Sequence, residues 1–122
     1  MNNLYILILH NNKKVTKKIG KLGDFIFLPG YYLYIGSAKK NLDKRIERHI
    51  RKEKKLHWHI DYLTTDFYMI KVVAFSNVVF SECELAQSIK EEFDLIEPIK
   101  GFGASDCRCN THLFLKTESR KP

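Results

Sequence analysis

Apolar residues follow two rhythms along this chain. Short, dense runs rich in β-branched and aromatic residues, "NLYILIL" at 3–9, "YYLYIG" at 31–36 and "YMIKVVAF" at 68–75, predict strands, with a last strand at 112–117. Between 10 and 30, "VTKKIGKLGDFIFLPG" carries glycine breaks and predicts a short strand pair. A spacing of three to four marks the helices. Leu42, Ile46 and Ile50 form one stripe of a helix over about 41–54, with Asn41 as its N-cap. Cys83, Ala86 and Ile89 form another over 81–93, opened by Ser81 and Glu84 in capping-box spacing. "LHWHIDYLTT" at 56–65 predicts a short helix, and 118–122 a frayed tail. The fold class is a small α+β domain with a mostly antiparallel sheet flanked by helices.

The 122 residues suit one domain, and 44% hydrophobic content supplies a core. No apolar run approaches the ~20 residues of a membrane helix. "LYILIL" lacks a basic leader and a cleavage site, so it reads as a strand and not a signal peptide, and the expected location is cytoplasmic. The net charge of +7 favours a polyanionic partner. Most local positive charge is concentrated in "KKNLDKRIERHIRKEKK", residues 39–55. Lys39, Lys40, Lys44, Arg48 and Lys52 are its candidate nucleic-acid contacts, against the plainer reading of a solvated helix face. DNA is the expected partner; nothing in the sequence reads a 2′-hydroxyl, so RNA stays open.

Three cysteines exclude a full disulfide framework, and a cytosolic setting disfavours any bridge. Cys107, Cys109 and His112 make C-x-C-x2-H, which is not a standard zinc spacing. A fourth ligand would have to come from Cys83, His57 or His59, so zinc is not expected. The alternative is a tight loop in which Asp106 caps backbone amides.

The tyrosine-rich strand leads through "GSA" into the basic helix, and a later helix begins "ECELA". Tyr5 on the first strand, Tyr34-Ile35-Gly36, Arg45 eleven residues after Tyr34, and Glu82 follow in that order. This order resembles the GIY-YIG nuclease superfamily. The blocks "YIGSA", "RIERH", "HWHIDYL", "ECELA" and "GFGASDCRCNTHL" are similar to an uncharacterised branch that also occurs attached to endonuclease III-type glycosylases. The resemblance implies a metal-dependent endonuclease using one Mg²⁺ or Mn²⁺ ion, with a DNA glycosylase as an implied partner. Tyr5, Tyr34 and Arg45 would be catalytic, and Glu82 the metal ligand, with Glu84 as runner-up. The chain departs from the family in Asn3-Leu4-Tyr5 and in the 29-position step from Tyr5 to Tyr34, which implies an insertion at 10–30.

The chemistry asks for the same residue types. A hard ion prefers carboxylate oxygen and water, and a guanidinium forks onto phosphate. A phenol beside a cation is expected to lose its proton below ~10 and serve as general base. His49, one turn beyond Arg45, is the candidate acid or base near neutral pH. His57 and Asp61 stand i, i+4 as a His–carboxylate pair. His57, His59, Asp106 and His112 are candidates for the rim of the site. Against these stand plainer roles: strand packing for the tyrosines, solvated charge for Arg45, capping for Glu84. A non-catalytic nucleic-acid-binding module and a zinc-stabilised interaction domain are the alternative functions.

Overall fold

The computed structural model describes residues 1–103 and 109–118. Ten elements follow in order: β1 (Asn2–Asn11), β2 (Val15–Ile19), a 3-10 turn (Gly20–Leu22), β3 (Gly23–Phe27), β4 (Gly30–Ser37), α1 (Leu42–Ile50), α2 (Asp61–Thr64), β5 (Tyr68–Val78), α3 (Glu82–Phe93) and β6 (Leu113–Thr117). The main sheet has the order β5-β1-β4-β6, with antiparallel neighbours throughout. The 10–30 segment forms a separate hairpin of β2 and β3, which sends Ile19 and Phe27 into the core. The α+β class expected from the sequence is the class observed.

β1 lies between two strands and is covered on both faces, which is why its sequence is nearly continuous in apolar residues. Strand alternation then sorts its side chains. Tyr5, Leu7 and Leu9 enter one core with Tyr32 and Tyr34 of β4, Ile60 and Leu63 around α2, Phe67 and Phe102. Leu4 and Ile6 enter a second core with Ile35, Phe114 and Leu85, Ala86 and Ile89 of α3. Burying each such side chain is worth about 1.5–3 kcal/mol, so a one-residue slip of β1 would misplace both cores at once.

The capping box of α3 is present. Ser81 Oγ accepts from the Glu84 N–H at 3.1 Å, and the Ser81 N–H donates to Glu84 Oε1 at 2.8 Å. α1 departs from expectation at both ends. Asn41 occupies the N-cap in a left-handed conformation (φ 56°), and its side chain makes no capping bond. The helix stops at Ile50, short of 54, because Lys54 turns back and donates Nζ to the carbonyls of Arg48 and His49 at 2.9 and 2.8 Å. Ile50 is exposed while His49 is buried, so the inward stripe is Leu42, Ile46 and His49. At the far end, Glu118 pairs with His10 at 2.5 Å; 119–122, the remainder of the expected frayed tail, lie outside the described residues.

Candidate active site

Antiparallel pairing sets Tyr5 opposite Gly36, and Leu7 opposite Tyr34. The Tyr5 ring lies directly across Gly36. A Cβ at residue 36 would stand 2.4 Å from Tyr5 Cζ and 2.5 Å from its hydroxyl. The glycine is there so that one strand's phenol can cross the neighbouring backbone. Tyr34 has a similar partner in Gly103 (φ +66°), where a Cβ would meet Tyr34 Cε1 at 2.8 Å. Two phenols are thus seated on backbone with no side chain beneath them.

Around them opens a cleft of about 280 Å³. Tyr5, Tyr34, Arg45 and Glu82 all line it, as do His57, His59 and His112. Arg45 comes from the first turns of α1. Its guanidinium donates to the Ser37 carbonyl at 3.1 Å and lies over the Trp58 ring at 4.7 Å from the centroid. Glu82, the first residue of α3, receives the Ser37 hydroxyl on Oε1 at 2.6 Å, and its Oε2 lies 3.3 Å from His112 Nδ1. Ser37 therefore links the guanidinium and the carboxylate, one through its carbonyl and one through its hydroxyl.

The electrostatics correct one expectation. Burial raises the Tyr5 phenol to about 12, although the charge of Arg45 and a hydrogen bond with it pull the other way. Burial raises Tyr34 as well, aided by Tyr5 and Glu82. Both phenols are neutral at pH 7, not the lowered-pKa bases expected from the sequence. Behind Tyr5, His49 Nε2 is 2.7 Å from the phenol oxygen. His49 does not line the cleft. Burial, and next the charge of Lys54, lower it to about 4, so it too is neutral.

His59 Nδ1 accepts the Gly103 N–H at 2.8 Å. That bond assigns its proton to Nε2, making the ring a donor. Burial holds its pKa below the usual histidine range. His57 lines the cleft, but its link to Asp61 is not the predicted side-chain pair: its backbone N–H donates to Asp61 Oδ2 at 2.8 Å. Asp61 is fully buried. It also accepts the Trp58 N–H at 2.9 Å and both terminal nitrogens of Arg48, each at 2.9 Å. Burial alone would raise this carboxyl; Arg48 and the two N–H groups overcome that and hold it below its ordinary value.

Arg48 is therefore spent inside the fold and is not a free phosphate contact. Lys52 is likewise committed, donating to the carbonyls of Thr64 and Phe67 at 3.0 and 2.6 Å. Lys39, Lys40 and Lys44 are exposed. Glu84 serves the capping box and does not line the cleft. Asp106 and Cys107 lie outside the described residues. Cys83 and Cys109 are joined as a disulfide with Cα atoms 5.8 Å apart, a bridge that the expected cytosolic setting disfavoured. Ser37, Trp58 and Gly103 were missed by sequence reasoning. Ser37 sits inside the quoted "YIGSA", where small turn residues are easily passed over. Trp58 reads as core until the arginines lying over it are seen.

No curated protein and no solved structure matches the chain. A family described as a domain of unknown function, DUF123, matches it over residues 4–122, and the chain belongs to that family.

Proposed function

We propose that the protein is a metal-dependent endonuclease that hydrolyses phosphodiester bonds in DNA, acting in the cytoplasm. One observation carries the proposal: two phenols, a guanidinium and a carboxylate from β1, β4, α1 and α3 line a single cleft. Arg45, braced by Trp58 and the Ser37 carbonyl, keeps guanidinium N–H groups for a phosphate oxygen. Glu82 fits a hard divalent ion such as Mg²⁺ or Mn²⁺. It is a partly exposed carboxylate oriented by Ser37 and His112, and such ions are often held by one or two carboxylates with waters completing the shell. When bound, the ion supplies charge that polarises the phosphate. Tyr34 and the Nε2–H of His59 serve as neutral donors that orient the scissile group. Tyr5 can take a proton from a water in the cleft as its own passes to the neutral His49 at 2.7 Å. The three exposed lysines ahead of and within α1 extend the positive surface toward the cleft's Arg45. The reading agrees with the sequence resemblance to GIY-YIG nucleases.

The test is nicking of supercoiled plasmid with and without Mn²⁺, beside Glu82→Ala. Metal-dependent nicking lost in Glu82→Ala supports the assignment. A gel shift of DNA with no strand cut at any metal concentration would replace it with a non-catalytic binding module.

A further inference from the structure

Cys83 follows Glu82 on the first turn of α3, Cys109 returns the chain toward β6, and His112 immediately precedes that strand. The two Sγ atoms and an imidazole nitrogen of His112 lie within 4.8 Å of one another. His112 is 3% exposed, and its Nε2 has no hydrogen-bond partner among the described residues. A buried ring nitrogen left this way is costly unless something occupies its lone pair. Its other nitrogen, Nδ1, faces Glu82 Oε2 at 3.3 Å. A neutral ring with its proton on Nδ1, the nitrogen that faces this carboxylate, keeps a bare lone pair on Nε2. Metal-ligating histidines have this arrangement, with the far N–H given to a carboxylate that fixes the tautomer.

We infer that the reduced protein holds a soft divalent ion of the zinc class between Cys83, Cys109 and His112, and that the Cys83–Cys109 disulfide is the metal-free, oxidised state of the same site. Around a tetrahedral zinc ion, sulfur and nitrogen donors stand about 3.5–3.8 Å apart. Separating the sulfurs after reduction therefore brings all three donors to ligating distance without moving the helix far. A water completes the tetrahedron. The exchange balances: a dithiol reductant gives two electrons and two protons to the bridge and becomes a disulfide itself. The ion then displaces the two thiol protons to solvent. The ion and the bridge make the same mechanical connection, tying the start of α3 to the approach to β6 beside Glu82. The inference concerns a site distinct from a hard-ion position on Glu82 and does not rest on the nuclease reading.

Cobalt(II) is the probe. The full chain, reduced with a phosphine, is titrated with cobalt and then with zinc. One cobalt per chain is expected, with the near-ultraviolet absorption of thiolate-to-cobalt charge transfer, and zinc should displace it. The oxidised chain should show none of this absorption, a comparison that needs no variant to fold. Cys83→Ser and His112→Gln should each weaken binding by about tenfold or more, while Cys107→Ser keeps the absorption. Absence of the absorption in the reduced chain would overturn the inference. So would equal affinity in the Cys83→Ser and His112→Gln variants, or loss in Cys107→Ser with retention in Cys83→Ser. None of these readings involves nucleic acid, so plasmid nicking can fail while the metal site stands, and the reverse.

Discussion

The two faces of the central sheet are built from the same two strands and differ in what covers them. On one face, Tyr5 and Tyr34 alternate with Leu7 and Tyr32 beneath α1 and α2. On the other, Leu4, Ile6 and Ile35 meet Leu85, Ala86 and Ile89 of α3, and every residue buried in that cluster is apolar. Polar groups are buried on the first side: His49 behind Tyr5, Asp61 beneath Trp58, Thr64 at the end of α2. Asp61 and His49 Nε2 are partnered and hold their neighbours in one geometry, while His49 Nδ1 and Thr64 Oγ1 have no hydrogen-bond partner among the described residues and cost stability. The tyrosine face is therefore dear in stability and well defined in geometry. The α3 face is cheap and tolerant, and it serves the cleft only at its margin, where Glu82 begins the helix.

Removing the Asp61 carboxylate should break the first face hardest. Asp61→Ala leaves the Arg48 guanidinium without its partner and the His57 and Trp58 N–H groups unpaired. A loss of about 3–5 kcal/mol in urea unfolding at pH 7 is expected. Should Asp61→Ala unfold at the same midpoint as the parent, the clamp beneath the cleft is not holding that face together.

Next come the groups aimed into the cleft. Under the nuclease reading, Arg45→Ala and Tyr34→Phe each cost a hundredfold or more in nicking rate, about 2.7–4 kcal/mol of transition-state stabilisation. Single-turnover cleavage at saturating Mn²⁺ measures it. Tyr34→Phe should leave the unfolding midpoint nearly unchanged, because the Tyr34 hydroxyl makes no hydrogen bond among the described residues. Rates within a factor of about three of the parent in both variants would remove these groups from the chemistry.

Acid should act first on the tyrosine face. His49 is lowered to about 4 by burial, so between pH 6.5 and 4 the unfolded chain binds a proton that the folded chain refuses. Stability is then full above about pH 6.5 and falls as pH drops toward 4, by about 3 kcal/mol from this residue. His59 and His112 are lowered by burial and add in the same direction. Asp61 is held low, so its contribution is lost only further down, below the ordinary carboxylate range. Urea midpoints measured from pH 8 to pH 4 should show this slope, and His49→Gln should remove much of it. A flat profile in the parent would mean that His49 takes up its proton in place.

How much of this could be read from residues alone follows the range of the contacts. Strand alternation and the capping box are local, and they placed β1, β4, α3 and the Tyr5–Tyr34–Arg45–Glu82 order along the chain. The inward turn of His49 was hidden because histidine counts as polar in any hydrophobic period; Leu42, Ile46 and Ile50 gave the visible stripe, in which His49 takes the place of Ile50. Lys54 ends α1 early by capping carbonyls, a contact no propensity encodes. Arg48 and Lys52 looked like their exposed basic neighbours because charge does not say which side chains turn inward. Cys83 and Cys109 are 26 residues apart and meet only through the fold. The glycine of "YIG" was legible as a motif; its reason, the Tyr5 ring crossing residue 36, needed the register.

The smallest change makes the sharpest comparison. Ile35 sits between Tyr34 and Gly36, is fully buried, and points to the α3 core. Ile35→Val removes one methylene from well-packed surroundings, for an expected cost of about 0.5–1.5 kcal/mol. Its neighbour's phenol points the other way, so the nicking rate should stay within about twofold of the parent when both are measured well below the unfolding temperature. The adjacent Tyr34→Phe should do the reverse, slowing the reaction at nearly constant stability. If Ile35→Val slows cleavage as much as Tyr34→Phe does, strain passes through the β4 backbone from one core to the other. The two faces would then be a single mechanical unit, with α3 packing helping to set the position of the tyrosines.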